Sequence, residues 1–161
     1  MQRSRLTRLG QTLGSVSQRV LVVDDEPANV DLLRHFLIDI ADEVVCLTDS
    51  RAAEQAFADF EPDLVLLDLH MPEPDGLEIL RRLRSGRERR GFVPVIVLTA
   101  DDRSIARNSA FLLGANDFLV KPLDRQEVRL RARNLLQTRH LFQEVVRATG
   151  SFPNLERPAA S

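Results

Sequence analysis

The chain contains no tryptophan, no tyrosine, one cysteine and one lysine. Without Trp or Tyr, the core has to be built from Leu, Val, Ile, Ala and eight Phe. Cys46 stands alone, so no intrachain disulfide can form, and a reducing cytoplasm is the expected compartment. Three scattered His and that single Cys do not supply the ligands of a zinc site. No apolar run approaches the roughly 20 residues that a membrane helix needs. The segment 1–18 carries Arg3, Arg5 and Arg8 without a signal peptide's apolar stretch, and reads as a flexible tail or a mis-set start. A formal net charge of −2 gives no electrostatic case for nucleic acid or an anionic membrane as the main partner. Neither common glycine-rich phosphate loop is present.

The residues that are present fit one soluble domain with short extensions. There are 161, and a hydrophobic share of 43% is enough to fill a core of that size. Short apolar runs at 20–23, 64–67, 93–98 and 118–120 read as buried strands, and helical sequence separates them. With a strand at 43–48, the strands span 20–25, 43–48, 63–69, 93–100 and 117–121. The helices span about 27–40, 50–60, 75–85, 102–113 and 124–148. Pro27 suits a first helical turn, Asp49 or Ser50 an N-cap, and Gly114 a C′ position. An Arg- and Gly-rich loop falls at 86–91.

Five alternating units imply an α/β fold, a doubly wound parallel sheet with right-handed crossovers and helices on both faces. Strand order is not readable from periodicity. The common flavodoxin-like order 2-1-3-4-5 would put the switch point between the first and third strands, where ligands gather outside the carboxyl ends.

Four of the five strands end in a residue with chemistry: Asp24 and Asp25, Asp68, Thr99, and Lys121. Taken singly, each is an ordinary polar exit from the core or a helix cap. Their convergence changes the odds. Carboxylates from the first and third strands, side by side, repel and raise each other's pKa unless a cation intervenes. Mg²⁺ suits such an all-oxygen set, and Lys121, the one lysine among 22 basic residues, offers a compact second cation. A carboxylate held against both is poised to act as the nucleophile in phosphoryl transfer, with the Thr99 hydroxyl available to an equatorial oxygen. Glycoside hydrolysis would use paired carboxylates but leaves the lysine and threonine without a part.

The motifs VLVVDDEP (20–27), LVLLDLHMPEPDG (64–76), PVIVLTA (94–100) and GANDFLVKP (114–122) together resemble the receiver domain of two-component response regulators, over roughly residues 19–140. The resemblance implies that Asp68 is the phosphoacceptor, loaded by a sensor histidine kinase or a histidine phosphotransfer protein. It implies Mg²⁺ bound by Asp25 and Asp68, by Asp24 mostly through water, and by the backbone carbonyl of His70. Lys121 would pair with the phosphoryl group, and the Lys121–Pro122 bond would be cis. Thr99 and Phe118 would form a switch pair that remodels the face made by the fourth helix, fifth strand and fifth helix. His70 and Asp101 would flank the attacking water and tune the lifetime of the phosphorylated state. The chain would then catalyse only its own phosphotransfer and dephosphorylation, and would not be an enzyme acting on a separate substrate.

The output stays open at this level. A stand-alone receiver controlling a downstream protein, a phosphorelay intermediate or phosphate sink, and a receiver cut from a larger regulator are three readings. RNLLQTRHLFQ (133–143) is similar to helices that join receivers to cyclic-di-GMP phosphodiesterases or kinase modules. The ending ERPAAS favours the first two readings, and no helix-turn-helix module fits after Lys121. Homodimerisation on phosphorylation is one further outcome. A Mg²⁺-dependent phosphatase of the haloacid-dehalogenase type is the other class. It would need a nucleophile and a second Asp two residues apart after the first strand, whereas Asp24 and Asp25 are adjacent.

The last helical pattern, 124–148, would be roughly 37 Å long at 1.5 Å per residue, about twice what a small sheet needs. Val128, Leu135 and Phe142 recur every seven residues, with Leu141 and Val145 forming a second edge. Two readings follow: a second half that frays, or an overhanging amphipathic helix at 141–150 for dimerisation or output. The helix's arginines, Arg125, Arg129, Arg131, Arg133, Arg139 and Arg147, read as a solvated face. Residues 151–161, with two prolines, read as a disordered tail.

Overall fold

Period-two alternation within each strand decides which helices cover which face. The computed structural model describes residues 17–86, 91–101 and 105–152. The strands are β1 (Arg19–Val23), β2 (Glu43–Leu47), β3 (Leu64–Asp68), β4 (Val95–Thr99) and β5 (Asp117–Val120). They pair in parallel in the order β2-β1-β3-β4-β5. The helices are α1 (Pro27–Leu37), α2 (Ala53–Phe60), α3 (Gly76–Ser85), α4 (Ile105–Leu113) and α5 (Arg125–Thr149). This is the doubly wound α/β fold expected from the alternation, with its switch point between β1 and β3. Among the described residues, no helix is long and apolar enough to cross a membrane.

Leu21, Val23, Val65, Leu67, Val95 and Val97 pack with Phe57, Ile79, Leu80, Leu83 and Ala110, so α2, α3 and α4 cover that face. The intervening Val20, Val22, Leu64, Leu66, Ile96 and Leu98 pack with Leu33, Phe36, Leu37, Val128, Ala132 and Leu136 of α1 and α5. β1, β3 and β4 are almost wholly buried on both faces, as central parallel strands must be.

Boundaries differ from expectation at a few ends. The second helix begins as a 3-10 turn at Ser50–Ala52, where Asp49 caps through Arg51 N–H, before α2 proper. Asp75 caps α3 by accepting from Glu78 N–H at 2.9 Å. Gly114 ends α4 with φ 108°, a left-handed conformation that favours glycine. Residues 1–16 and 153–161 of the expected tails, 87–90 of the expected loop, and the start expected for the fourth helix at Asp102 lie outside the described residues.

The far half of α5 stays helical to Thr149, with Phe142 packed inward while Leu141 and Val145 of the second edge are exposed. Phe142 is buried, its ring 5.8 Å from Phe92 and stacked on Phe152 at 6.1 Å. Arg139 donates to the Phe92 carbonyl at 2.6 Å and pairs with Asp63 at 3.4 Å, while Gln143 donates to the same carboxylate at 3.2 Å. The other oxygen of Asp63 accepts from Arg19 N–H at 3.0 Å. The helix is thereby fastened to the N-terminal ends of β1 and β3 and to the lead-in of β4. The expected solvated arginine face holds only in part: Arg129, Arg131 and Arg139 turn inward to Asp39, Asp117 and Asp63.

Gly76 sits where α3 meets the chain leaving β3. A Cβ there would lie 2.1 Å from the Asp68 carbonyl oxygen and 2.6 Å from Leu69 Cα, both backbone atoms that cannot swing aside. Gly76→Ala is therefore expected to lower stability by about 1–3 kcal/mol, the usual cost of overpacking. Urea unfolding followed by far-UV circular dichroism measures this, and an unchanged midpoint would contradict it.

Candidate functional site

The register brings Asp24 and Asp68 together. Val23 lies opposite Leu67 on the neighbouring strand, so the residues one step beyond stand side by side as β1 and β3 run out. Both are buried, whereas Asp25 is exposed at the rim. One carboxylate oxygen from each of Asp24, Asp25 and Asp68 lies within 4.8 Å of the others. β5 delivers the counter-charge: Lys121 Nζ stands 3.0 Å from Asp24 Oδ2 and 3.3 Å from Asp68 Oδ2. The Lys121 amide donates to the Thr99 carbonyl at 2.8 Å, which fixes where its side chain starts. The Lys121–Pro122 bond is cis, and so is Glu73–Pro74 in the loop after β3.

Backbone N–H groups hold the two buried carboxylates. Asp24 Oδ1 accepts from Glu26 N–H at 3.0 Å, and Asp68 Oδ1 from His70 N–H at 3.2 Å. Asp24 Oδ2 is the exception. It is buried, takes no backbone N–H, and faces the Lys121 ammonium at 3.0 Å. Lys121 offsets that burial, but one ammonium still faces three carboxylates whose oxygens lie within 4.8 Å of one another. The donor set is all oxygen, the choice of a hard divalent ion that keeps water ligands. The residues therefore fit Mg²⁺.

Burial pushes the Asp68 carboxyl above its ordinary pKa. The His70 N–H opposes this, the Asp24 charge reinforces it, and Lys121 partly offsets it. Burial also pulls on the Lys121 ammonium, downward, but Asp24 and Asp68 outweigh that pull and leave it raised. Lys121 thus stays protonated while it faces two acids.

The remaining expected residues surround this cluster without joining it. Thr99 is buried at the end of β4, and its hydroxyl donates to the Asp101 carbonyl at 3.0 Å and accepts from Asp101 N–H at 3.3 Å. His70 and Asp101 are exposed. Phe118 is half-buried three residues before Lys121, with its ring toward α4 and α5: Arg107 lies 4.8 Å from the ring centroid, Arg131 5.9 Å, and Phe111 meets it edge-on at 5.8 Å. Sequence reading missed Ser50, read only as a cap. Its buried hydroxyl donates to the Pro72 carbonyl at 3.2 Å and pins the loop that follows Asp68. No sequence signal marked the arginines around Phe118.

The raised Asp68 pKa has a testable sign. A native carboxyl that holds its proton more tightly than the unfolded chain contributes stability that is fully present below the unfolded value of about 3.9 and is lost as pH rises through the folded value. In chelator-treated protein, Asp68→Asn is expected to be more stable than wild type at neutral pH, with the gap closing on acidification towards about pH 4. Urea midpoints at several pH values measure the gap, and a pH-independent difference would contradict the assignment.

A family model described as the response regulator receiver domain matches residues 20–133. Among solved structures, the chain is similar to the chemotaxis protein CheY4 of Vibrio cholerae, with 26% identity, 75% of this chain and 99% of that one covered, and a TM-score of 0.67. It is also similar to the receiver domain of a sensor histidine kinase from Pseudomonas aeruginosa PAO1, solved with magnesium coordinated in its active-site cleft, at 28% identity, 76% and 99% coverage and a TM-score of 0.67. NtrX from Brucella abortus matches over 90% of this chain at 28% identity and a TM-score of 0.74, but the match spans only 32% of that longer chain. Because that family model spans well over half of the sequence, the chain belongs to the response regulator receiver domains.

Proposed function

We propose that Asp68 accepts a phosphoryl group from the phosphohistidine of a sensor histidine kinase or histidine phosphotransfer protein, and that the protein signals through the change in surface that follows. The observation that carries this reading is the placement of Lys121 Nζ at 3.0 and 3.3 Å from Asp24 and Asp68, beside the three-carboxylate cluster. The magnesium in the related Pseudomonas receiver supports the same metal here. When bound by Asp24, Asp25, Asp68 and the His70 carbonyl, Mg²⁺ would neutralise charge on the transferring phosphoryl oxygens.

An Asp68 carboxylate oxygen attacks phosphorus, the N–P bond of the donor breaks, and the imidazole departs with the bonding pair. Lys121 stabilises charge on an equatorial oxygen while the acyl phosphate forms. Thr99 has to release Asp101 before its hydroxyl can donate to a phosphoryl oxygen, and Phe118 turns towards the space this frees. Water then attacks phosphorus to return the carboxylate and inorganic phosphate. His70 and Asp101, at the exposed rim, set how readily that water is oriented. The chain in this reading acts on no separate substrate. Its partners are a phosphodonor protein and a downstream protein in the cytoplasm, with relay or phosphate-sink duty sharing the same chemistry.

Incubation with acetyl phosphate and Mg²⁺, followed by intact mass, tests the reading. One phosphoryl adduct is expected, absent with chelator and absent in Asp68→Ala. An adduct that persists in Asp68→Ala would refute the assignment of the acceptor. Asp101→Ala is expected to slow loss of the adduct several-fold, and an unchanged decay rate would remove Asp101 from the lifetime role.

A further inference from the structure

The turn between β2 and α2 is bonded to both chain segments that carry the acidic cluster. Where β2 runs out, the Leu47 carbonyl accepts from Asp24 N–H at 3.1 Å, which holds the end of β1. Three residues on, the buried Ser50 hydroxyl donates to the Pro72 carbonyl at 3.2 Å, in the loop that runs from Asp68 to α3. The turn is also closed on itself. Asp49 accepts from Arg51 N–H and from the Arg51 side chain, each at 3.0 Å, and its carbonyl accepts from Ala52 N–H at 3.1 Å. Ser50 is thus carried on backbone whose course is fixed.

The loop after Asp68 has few other ways to be held. Pro72 and Pro74 have no N–H to donate. Leu69 N–H on the Leu98 carbonyl at 3.0 Å fixes one end, the Asp75 cap of α3 fixes the other, and Met71 is buried. Among the described residues, the hydrogen bond that ties the stretch between Met71 and Asp75 to another element is the one from Ser50.

We infer that Ser50 is a positioning residue for the cation site: its hydroxyl keeps the loop after Asp68 in register with the Asp24–Asp25 strand end, and so makes the site prefer Mg²⁺ to the larger Ca²⁺. The inference rests on the Mg²⁺ reading proposed above, in which Asp24, Asp25, Asp68 and the His70 carbonyl hold the ion. Those groups sit on two segments, and the turn at 47–50 is bonded to both. Mg²⁺ demands near-ideal octahedral coordination at short range, whereas Ca²⁺ accepts longer and less regular coordination. Freeing the loop at Pro72 therefore costs Mg²⁺ more than Ca²⁺. One hydrogen bond of this kind corresponds to about a 2- to 10-fold change in an equilibrium.

The test titrates the full, chelator-stripped chain with Mg²⁺ and, separately, with Ca²⁺, following backbone amide signals by NMR. Ser50→Ala removes the hydroxyl with little change in volume. Phe142→Leu, at the opposite end of the sheet, controls for lost stability alone. Ser50→Ala is expected to weaken Mg²⁺ binding about 2- to 10-fold and Ca²⁺ binding less, so that the ratio of the two affinities falls. Phe142→Leu is expected to keep the wild-type ratio. An unchanged ratio in Ser50→Ala, whatever its urea midpoint, would overturn the inference and leave the Mg²⁺ reading standing. An equal fall in Phe142→Leu would also overturn it, because general loosening would then account for the effect. Wild type that binds neither ion would overturn the Mg²⁺ reading and this inference with it.

Discussion

Everything near the site depends on keeping carboxylates from two adjacent strands close together in a dry place. Asp24 and Asp68 are buried beside one another because parallel pairing of β1 with β3 puts their strand ends level. Two such charges in a low-dielectric setting are unfavourable alone. Lys121, delivered from the far edge of the sheet by β5, offsets part of that repulsion. It leaves Asp68 with a raised pKa, and a single ammonium facing three carboxylates. The resting site is therefore incompletely neutralised, a state that the proposed divalent cation and phosphoryl group would balance.

The surrounding fold can be understood as what holds that arrangement still. Both faces of β1 and β3 are sealed by aliphatic side chains, so the strand ends cannot shift to relieve the charge. Gly76 lets α3 press directly against the chain after Asp68, and Ser50 ties the next loop down. At the opposite end of the sheet, Arg139, Gln143 and Asp63 fasten α5 where β1 and β3 begin. On the side that faces α4, Thr99 bonds the Asp101 backbone, and the Phe118 ring lies beside Arg107 and Phe111.

Much of this was legible in the sequence because the signals are local. Apolar runs that end abruptly in Asp24, Asp68, Thr99 and Lys121 mark strand ends, and the alternation of strands with helices then forces them to one edge. A lone lysine in an arginine-rich chain stood out for the same reason. What escaped were pairings between distant residues of ordinary type. Asp63 and Arg139 are 76 positions apart, and each alone looks like a solvated charge. Arg107 and Phe118 belong to different elements and become partners only once α4 is packed beside β5. The inward contacts of α5 were not legible, because heptad spacing of Val128, Leu135 and Phe142 does not say which of them a helix folds against its own sheet.

The most direct measurement is the effect of Mg²⁺ on the stability of the unphosphorylated protein. Urea unfolding is followed by circular dichroism with chelator and with millimolar Mg²⁺, in wild type and in Asp25→Asn, whose exposed side chain has little part in the core. Binding to the folded state alone stabilises it by RT ln(1 + [Mg²⁺]/Kd). The account predicts a clear rise in the wild-type midpoint that is largely lost in Asp25→Asn. A wild-type midpoint indifferent to Mg²⁺, or an equal rise in the variant, would contradict the claim that an under-neutralised carboxylate cluster organises this site.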